Sequence, residues 1–256
     1  MIWKLTIEYD GSGFAGWGAQ PGLRSIQGEL EDAISQILGG TTRVALTVAG
    51  RTDAGVHATA QVASFELDRE PPDRLAHRLN GVLPRQISVL KAEPAPEGFD
   101  ARRWASSRSY RYRLLVTPHR HPLEEGRALW WPRPLDREAL EACADAIDGK
   151  HDFTAFTPKQ TEHVRFDRVV SVSRWVDESP VILAYEIRAD AFMRSMIRVL
   201  VGTMLEVAAG RRSSDDVRAL LEGAPRERAG ETAPAHGLYF TGVEFGDGPA
   251  FVHASE

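Results

Sequence analysis

The sequence predicts an α+β protein with two similar ferredoxin-like lobes that share one extended antiparallel sheet. This prediction depends on the order of elements along the chain. In the first half, segments of alternating polarity and segments of helical periodicity follow one another as strand, helix, strand, strand, helix, strand. The second half repeats this order loosely, without a residue-level repeat. We therefore expect lobes at residues 1–105 and 106–256 that form one integrated unit.

The first lobe contains six predicted elements. Ser25 is a suitable N-cap for the first helix, whose apolar residues recur on one face. A proline at the start of the second helix suits a first helical turn. The predicted elements are a strand at 3–9, a helix at 25–38, strands at 44–49 and 59–66, a helix at 71–82 and a strand at 87–92.

The second lobe is predicted in the same way. A strongly apolar segment at 192–209 predicts a helix, and the segment 177–180 separates two strand-like runs as a hairpin turn does. The predicted elements are a strand at 109–117, a helix at 136–148, hairpin strands at 166–176 and 181–189, helices at 192–209 and 213–222, and a strand at 238–245.

Length and composition exclude several classes of protein. The 256 residues, 43% of them hydrophobic, suffice for one large core or two small ones. No uncharged apolar run reaches 18 residues, and the N-terminus lacks the features of a signal peptide, so we expect no membrane span and a cytoplasmic location. Cys143 is the single cysteine, which excludes an internal disulfide and a cysteine-rich metal site.

The distribution of charge is more informative than its sum. A net charge of −5 argues mildly against a nucleic-acid partner, because phosphate neutralisation supplies much of the binding energy. The segment 101–122, however, contains no acidic residue and six arginines: Arg102, Arg103, Arg108, Arg111, Arg113 and Arg120. Arginine suits phosphate contacts and stacking on bases. A preference for arginine codons is the alternative explanation, and the sequence does not separate the two.

A glycine-rich loop at 11–16 matches the dinucleotide fingerprint G-x-G-x-x-G and follows a predicted strand. The fingerprint requires a helix that begins among the glycines, because the pyrophosphate binds at that helix N-terminus. Residues 17–22 cannot begin a helix, so a nicotinamide cofactor is disfavoured. Phe14 and Trp17 in this loop suit either packing over a cleft or stacking on bases, and packing is the favoured interpretation.

The segment 49–58 places a carboxylate, a guanidinium, a hydroxyl and an imidazole in one turn between two glycines. Three roles for Asp53 compete. A structural aspartate would accept backbone hydrogen bonds, and a metal ligand would need a second carboxylate that the segment lacks. A nucleophile or general base would need a neighbouring cation. Arg51 is close in sequence, but we expect it to point to the opposite side if the segment is extended.

The predicted apolar helix supplies a candidate cation. Arg194 and Arg198 are four residues apart and would share one helical face. Burial raises the pKa of an aspartate by up to about 3–5 units, whereas a nearby arginine lowers it by about 1–3 units, so a buried pair would keep Asp53 charged. The alternative for Arg198 is a surface salt bridge with a residue such as Glu206. The residues alone do not decide between the two.

Taken together, these residues resemble the tRNA pseudouridine synthase A family over nearly the whole chain. The string Arg51-Thr52-Asp53-Ala54-Gly55-Val56-His57 is highly specific. The family usually has glutamine where this chain has Gly18. The other matching motifs are Glu8-Tyr9-Asp10-Gly11 with Phe14, Gly16 and Trp17; Arg24–Leu30; Phe99–Arg102; Tyr110-Arg111-Tyr112; Asp152-Phe153-Thr154; Ala191-Phe192; Met196-Ile197-Arg198 with Gly202; and Ala233-Pro234-Ala235 with Gly237-Leu238-Tyr239.

The resemblance implies isomerisation of uridine to pseudouridine at positions 38, 39 and 40 of the tRNA anticodon stem–loop, in a cleft between the lobes. It implies that Asp53 is the nucleophile and that Arg198 pairs with it, that Arg51 handles the flipped nucleotide, and that Tyr110 stacks on the uracil. It implies no metal or cofactor, and a homodimer that binds tRNA across both subunits. His57 would have a structural, hydrogen-bonding role. Further RNA contacts are expected from Arg102, Arg108, Arg111, Phe14 and Trp17.

Two other functions remain open at this stage. A non-catalytic RNA-binding module of ferredoxin-like type would use the sheet and the basic segment, but not the carboxylate of Asp53. A nucleotide-cofactor enzyme would use the glycine-rich loop at 11–16. Replacement of Asp53 by asparagine separates the first of these from an isomerase.

Overall fold

The computed structural model describes residues 1–40, 44–68, 70–161 and 164–249. The chain contains two compact units. The first comprises residues 1–108 with the final strand from Tyr239 onward, and the second comprises residues 109–238. The sequence predicted instead that the final strand belongs to a lobe at 106–256. The difference arises because that strand pairs with a strand of the first unit, a non-local contact that no local pattern records.

The elements follow in chain order, and the predicted α+β class is confirmed. Each long predicted element is present, with shifts at the ends. The strands and helices are β1 (Ile2–Tyr9), α1 (Ile26–Ile37), β2 (Thr47–Val48), β3 (His57–Glu66), α2 (Leu75–Asn80), β4 (Ile87–Pro94), β5 (Ala105–Leu115), β6 (Leu129–Trp130), α3 (Arg137–Ile147), β7 (Gly149–Asp152), β8 (Asp167–Ser179), β9 (Ile182–Ala189), α4 (Met196–Ala208), α5 (Ser214–Leu220) and β10 (Leu238–Phe245).

The first unit is organised around β1, which pairs antiparallel with both β3 and β4. Its strand order is β4-β1-β3-β10, with the short β2 also paired to β3. β10 runs parallel to β3, with Tyr239 opposite His57 and Phe240 opposite Ala58. The α1 helix begins at the predicted cap, since the Ser25 side chain accepts the Gly28 N–H, and it buries Ile26, Leu30, Ala33 and Ile34.

The second unit has the strand order β5-β9-β8-β7, with β6 parallel to β5. The predicted hairpin is present as the antiparallel pair β8–β9. The α3 helix begins at its Asp136 cap and packs against β8, α4 and α5. The α4 helix is buried on nearly all sides, which is typical of a central helix.

Two predicted helices begin later than the sequence indicated. The α2 helix begins at Leu75 and not at Pro71, because Pro72 disfavours helical geometry at Pro71 and Arg74 adopts the left-handed conformation with φ 59°. The α4 helix begins at Met196 and not at residue 192, since Ser195 adopts the left-handed conformation with φ 58°. Arg194 therefore lies outside the helix, and its expected placement on one helical face with Arg198 is wrong. Among the described residues no helix is long and apolar enough to cross a membrane.

Candidate active site

The loop that carries Asp53 connects β2 to β3 in the first unit. Its start is fixed by the Ala49 N–H, which donates to the Val62 carbonyl oxygen at 2.9 Å, and its turn is closed by the Val56 N–H on the Asp53 carbonyl oxygen at 3.1 Å. Burial alternates along the loop: Arg51 is exposed, Thr52 is buried and Asp53 is half-buried. This alternation is the pattern expected if Arg51 and Asp53 lie on one side of the loop and Thr52 on the other, because side chains in extended backbone alternate with period two. The expectation that Arg51 and Asp53 point to opposite sides does not fit this burial pattern.

Buried polar side chains form hydrogen bonds with this loop from the interior of the first unit. The hydroxyl groups of Tyr9 and Thr52 lie 2.8 Å apart and are buried. The Gln61 amide nitrogen donates to the Gly50 carbonyl oxygen at 2.8 Å and lies 3.4 Å from the Tyr9 hydroxyl. Tyr9 and Thr52 belong to motifs that the sequence singled out but without a role of their own, and Gln61 was not identified. The available signal was a glutamine in the apolar run of β3, since a fully buried glutamine requires specific partners.

The glycine-rich loop at 11–16 packs directly on the Asp53 loop. A Cβ atom at Gly16 would lie 2.7 Å from the Thr52 carbonyl oxygen, and one at Gly11 would lie 2.0 Å from that of Val56. The backbone N–H of Trp17 donates to the Thr52 carbonyl oxygen at 3.0 Å. The glycines thus permit close approach of two backbones. The α1 helix begins only at Ile26, so these glycines do not lie at a helix N-terminus as a dinucleotide site requires.

Phe14 and Trp17 are buried, with 4% and 1% of their surface exposed. The Trp17 ring lies 6.1 Å from that of Tyr9, and the Arg24 guanidinium lies over the Phe14 ring at 4.4 Å. The favoured packing interpretation agrees with this burial. The RNA contacts expected of these two rings disagree with it, because a stacked base needs an accessible ring face.

His57 has structural contacts at the start of β3. Its Nδ1 accepts the Gly11 N–H at 3.1 Å, and its ring stacks on Tyr239 of β10 at 4.7 Å. Asp10 Oδ1 also lies 3.1 Å from Nδ1. The predicted structural role of His57 agrees with these contacts.

Three arginines expected to contact RNA occupy different environments. Arg108 is buried, with 8% exposed, and donates to the carbonyl oxygens of Ala49, Ala105 and Arg102. Its expected phosphate contact disagrees with this orientation, because β5 begins at Ala105 and its alternation turns Arg108 inward. Arg102 is exposed, as a phosphate contact requires.

Arg111 lies on the opposite face of β5 from Arg108. Its terminal nitrogens bind Glu178 at 3.3 Å and Glu186 at 2.8 Å. The neighbouring Arg113 binds Glu178 and Glu124. Carboxylates of β8 and β9 therefore neutralise this part of the basic segment. For the expected phosphate contact, the Arg111 side chain would have to break its ion pairs with Glu178 and Glu186.

Tyr110 belongs to the second unit and lies between Arg111 and Ser109 on β5. Its side chain is 7% exposed, and its ring meets that of Phe192 edge to face at 5.1 Å and 80°. This contact holds the Tyr110 ring in one orientation. Like Phe14 and Trp17, Tyr110 is buried, so its expected stacking on the uracil requires its ring face to become accessible when the nucleotide binds.

Arg198 lies in the first turn of α4 and is held by the segment 231–234. Its Nε donates to the Ala233 carbonyl oxygen at 2.8 Å, and the Ala233 N–H donates to the Arg198 carbonyl oxygen at 3.0 Å. The carboxylate of Glu206, which the sequence offered as an alternative partner, is bound by Arg212 and by the Glu231 N–H.

Other reactive groups do not form a site. Within residues 1–40, 44–68, 70–161 and 164–249, no group of three or more His, Cys, Asp or Glu side chains could hold a metal ion. Cys143 is fully buried in α3, and burial raises the pKa of its thiol to about 11, so it carries no thiolate at neutral pH.

Comparison with known proteins identifies close relatives. A model of the family described as tRNA pseudouridine synthase matches residues 5–102 and 143–246. The chain is 42% identical over 255 residues to tRNA pseudouridine synthase A of Frankia casuarinae, covering 99% of this chain and 92% of that protein. It is 42% identical over 243 residues to the enzyme of that name from Thermus thermophilus (92% and 93% covered) and 38% identical over 237 residues to the one from Bacillus pumilus (92% and 96%). The two segments that match the family model include Asp53 and Arg198, respectively, whereas Tyr110 lies in the stretch between the two segments.

Proposed function

The chain belongs to the tRNA pseudouridine synthase family, and we propose that it acts on the anticodon stem–loop of tRNA at positions 38, 39 and 40, with Asp53 as nucleophile. Isomerisation of uridine in tRNA is the activity of this family. The observation that carries the proposal is the placement of Asp53. It is half-buried on a loop whose backbone is fixed from the interior, and Arg51 is exposed two residues earlier in the same loop.

The reaction breaks the N1–C1′ glycosidic bond and forms a C5–C1′ bond. N1 gains a proton, and the hydrogen of C5 leaves as a proton to solvent, so no oxidant or other reactant is consumed. A carboxylate is suited to this chemistry because it can bond transiently to the nucleotide and leave again. The proposal covers attack on either the base or the sugar. The base must leave the helical stack before it reaches Asp53.

We propose a role for each of the other candidate residues. Arg51 is exposed beside Asp53 and is proposed to hold the flipped nucleotide. The Tyr110 ring, supported by Phe192, is proposed to stack on the uracil. Arg198, oriented through Ala233, is proposed to stabilise the charge of Asp53. Arg102 is the exposed candidate for phosphate contact.

Replacement of Asp53 by asparagine tests the proposal. The substrate is tRNA labelled with tritium at C5 of uridine, which releases tritium to water when the C5–C1′ bond forms. We expect Asp53→Asn to bind tRNA with an affinity near that of the wild type and to release no tritium above background. Asp145→Asn makes the same chemical change at an exposed position of α3 and serves as the control. Full activity of Asp53→Asn would exclude Asp53 as the nucleophile.

The target positions, the assembly and the location are parts of the same proposal. Sequencing of pseudouridine in tRNA from cells that lack the protein should show losses at positions 38, 39 and 40 alone. We propose that the protein acts as a homodimer in the cytoplasm, which light scattering and cell fractionation test. Modification elsewhere in tRNA would contradict the proposed target without affecting the role of Asp53.

A further inference from the structure

The loop that carries Asp53 is attached to the interior of the first unit at two points. Thr52 is the buried residue of the loop, and its hydroxyl lies 2.8 Å from that of Tyr9. Two residues earlier, the Gly50 carbonyl oxygen accepts a hydrogen bond from the Gln61 amide at 2.8 Å. Tyr9 and Gln61 are 3% and 0% exposed, so water does not compete for these contacts.

The contacts of Gln61 have a defined direction. The Gln61 amide oxygen accepts the Val62 N–H at 3.1 Å, so its nitrogen faces Gly50 and Tyr9 and donates to both, with a longer contact of 3.4 Å to Tyr9. Tyr9 keeps its proton at neutral pH, because burial raises the pKa of its hydroxyl to about 12. The Tyr9 hydroxyl thus accepts from Gln61 and shares a hydrogen bond with the Thr52 hydroxyl in which either group can donate, and this contact restrains the side-chain rotamer of Thr52.

We propose that Tyr9 and Gln61 are positioning residues that hold Asp53 at its reactive position through Thr52 and Gly50. The inference rests on the proposed function, in which Asp53 is the nucleophile. Asp53 follows Thr52 directly, so the direction of its side chain depends on the backbone that Tyr9 and Gln61 fix. A displacement of about 1 Å in a reacting group can reduce a rate by about 100-fold.

Two substitutions remove the Tyr9–Thr52 contact from opposite ends. Tyr9→Phe keeps the ring against Trp17, and Thr52→Val keeps the size of the side chain. We expect each to reduce the single-turnover rate of tritium release by about 10- to 100-fold, with the tRNA dissociation constant changed less than about twofold. Thr52→Ser retains a hydroxyl and should recover most of the rate. Since both changes break one contact, the double variant should be no slower than the slower single variant.

The second unit offers a matched control. Tyr185 is also fully buried, and its hydroxyl lies 2.8 Å from that of Ser173, a tyrosine–hydroxyl contact of the same length as the one between Tyr9 and Thr52. We expect Tyr185→Phe to lower the melting temperature about as much as Tyr9→Phe and to leave the single-turnover rate unchanged. If Tyr9→Phe and Thr52→Val lower only the melting temperature, the contact is structural and the inference is wrong.

Asp53→Asn, measured in the same assay, separates this inference from the proposed function. An active Asp53→Asn would overturn the proposed function and the inference that rests on it. An inactive Asp53→Asn together with Tyr9→Phe and Thr52→Val variants that turn over at the wild-type rate would overturn only the inference. Multiplicative losses in the double variant would also overturn it, because they would show that Tyr9 and Thr52 act separately.

Discussion

Arg198 and Ala233 exchange two hydrogen bonds, one from the Arg198 Nε at 2.8 Å and one from the Ala233 N–H at 3.0 Å. The close approach of this segment to α4 also explains Gly202, where a Cβ atom would lie 1.8 Å from the Glu231 carbonyl oxygen. The segment 231–234 thus sets the orientation of the arginine that we propose to act on Asp53.

The charge and the orientation of Arg198 can be tested separately. Arg198→Met removes both, and we expect its single-turnover rate to fall by about 100-fold, the usual loss when one charge-stabilising donor is removed. Arg198→Lys keeps the positive charge but lacks the guanidinium group that donates to Ala233. Its rate should therefore lie between those of the wild type and Arg198→Met. Melting temperatures identify any general loss of fold. Wild-type turnover of Arg198→Met would contradict the proposed pairing with Asp53.

Gly16 and Gly13 should differ in their tolerance of a side chain. Both have positive φ, 98° and 79°, but a Cβ atom meets the Thr52 backbone only at Gly16 and open space at Gly13. We expect Gly13→Ala to cost about 1–2 kcal/mol in the free energy of unfolding, from backbone strain alone. Gly16→Ala should cost more and should also slow the reaction, because it displaces the loop of Asp53. Denaturant unfolding measures the difference, and equal costs would contradict the close approach.

Arg108 should contribute to stability. Its guanidinium donates to three backbone carbonyl oxygens in the interior, so Arg108→Met leaves buried acceptors unpaired. We expect a loss of about 2–4 kcal/mol in the free energy of unfolding. One of those acceptors belongs to Ala49 at the start of the Asp53 loop, so activity should fall as well. A variant with wild-type stability would show that these hydrogen bonds contribute little.

Arg102 should contribute to binding. It is exposed, and Arg102→Ala should change the free energy of unfolding by less than about 0.5 kcal/mol. If Arg102 contacts a tRNA phosphate, the slope of log affinity against log salt should decrease by about one. Filter binding at several salt concentrations measures this slope. An unchanged slope would exclude a phosphate contact at Arg102.

Tyr110 is proposed to act through its ring. Tyr110→Phe retains the edge-to-face contact with Phe192, so we expect only a small decrease in its rate. Tyr110→Ala should lose about 1–3 kcal/mol of stacking free energy, which corresponds to a decrease in rate of about 5- to 150-fold. Phe192→Ala removes the support of the ring and should fall between the two. Equal losses in Tyr110→Phe and Tyr110→Ala would assign the role to the hydroxyl.

Alkaline conditions should unfold the protein through its buried tyrosines. Burial raises the pKa of Tyr9 to about 12, and burial also raises the pKa values of Tyr112 and Tyr185. A tyrosine in the unfolded chain ionises near pH 10, so the contribution of Tyr9 to stability is complete below pH 10 and is lost as the pH rises to about 12. This loss amounts to about 3 kcal/mol of the free energy of unfolding, because each pKa unit corresponds to about 1.4 kcal/mol. Unfolding free energies from pH 9 to pH 12 should fall less steeply for Tyr9→Phe than for the wild type.

Local patterns were sufficient where local chemistry decides the structure. Helix α1 begins at its predicted cap, Ser25, and α3 begins at the predicted place, where Asp136 is the N-cap, because an N-cap bonds within its own turn. The segment around Asp53 was identified by its composition alone. The direction of Arg108 was missed because the predicted strand began at residue 109, and β5 extends back to Ala105. With that longer strand, the two-residue alternation places Arg108 on the buried face with Tyr110 and not on the surface.

The rest depends on contacts between segments distant in sequence. Gln61 and Tyr9 lie 52 residues apart, and no periodicity links a glutamine on β3 to the loop it supports. The start of α4 was also beyond prediction, since the left-handed Ser195 interrupts a segment whose apolar pattern continues through it. We have no local physical account of why Ser195 adopts this conformation.

The pairing of β10 with β3 has a consequence for how the protein is made. Phe240, which is fully buried, and Tyr239, which stacks on His57, both reach the first unit from the far end of the chain. During synthesis the ribosome makes residues 1–108 first, yet these residues lack β10 until residues 109–238 have also been made. The unit that carries Asp53 is therefore begun before the second unit and completed only after it, and until then His57 lacks its contact with Tyr239.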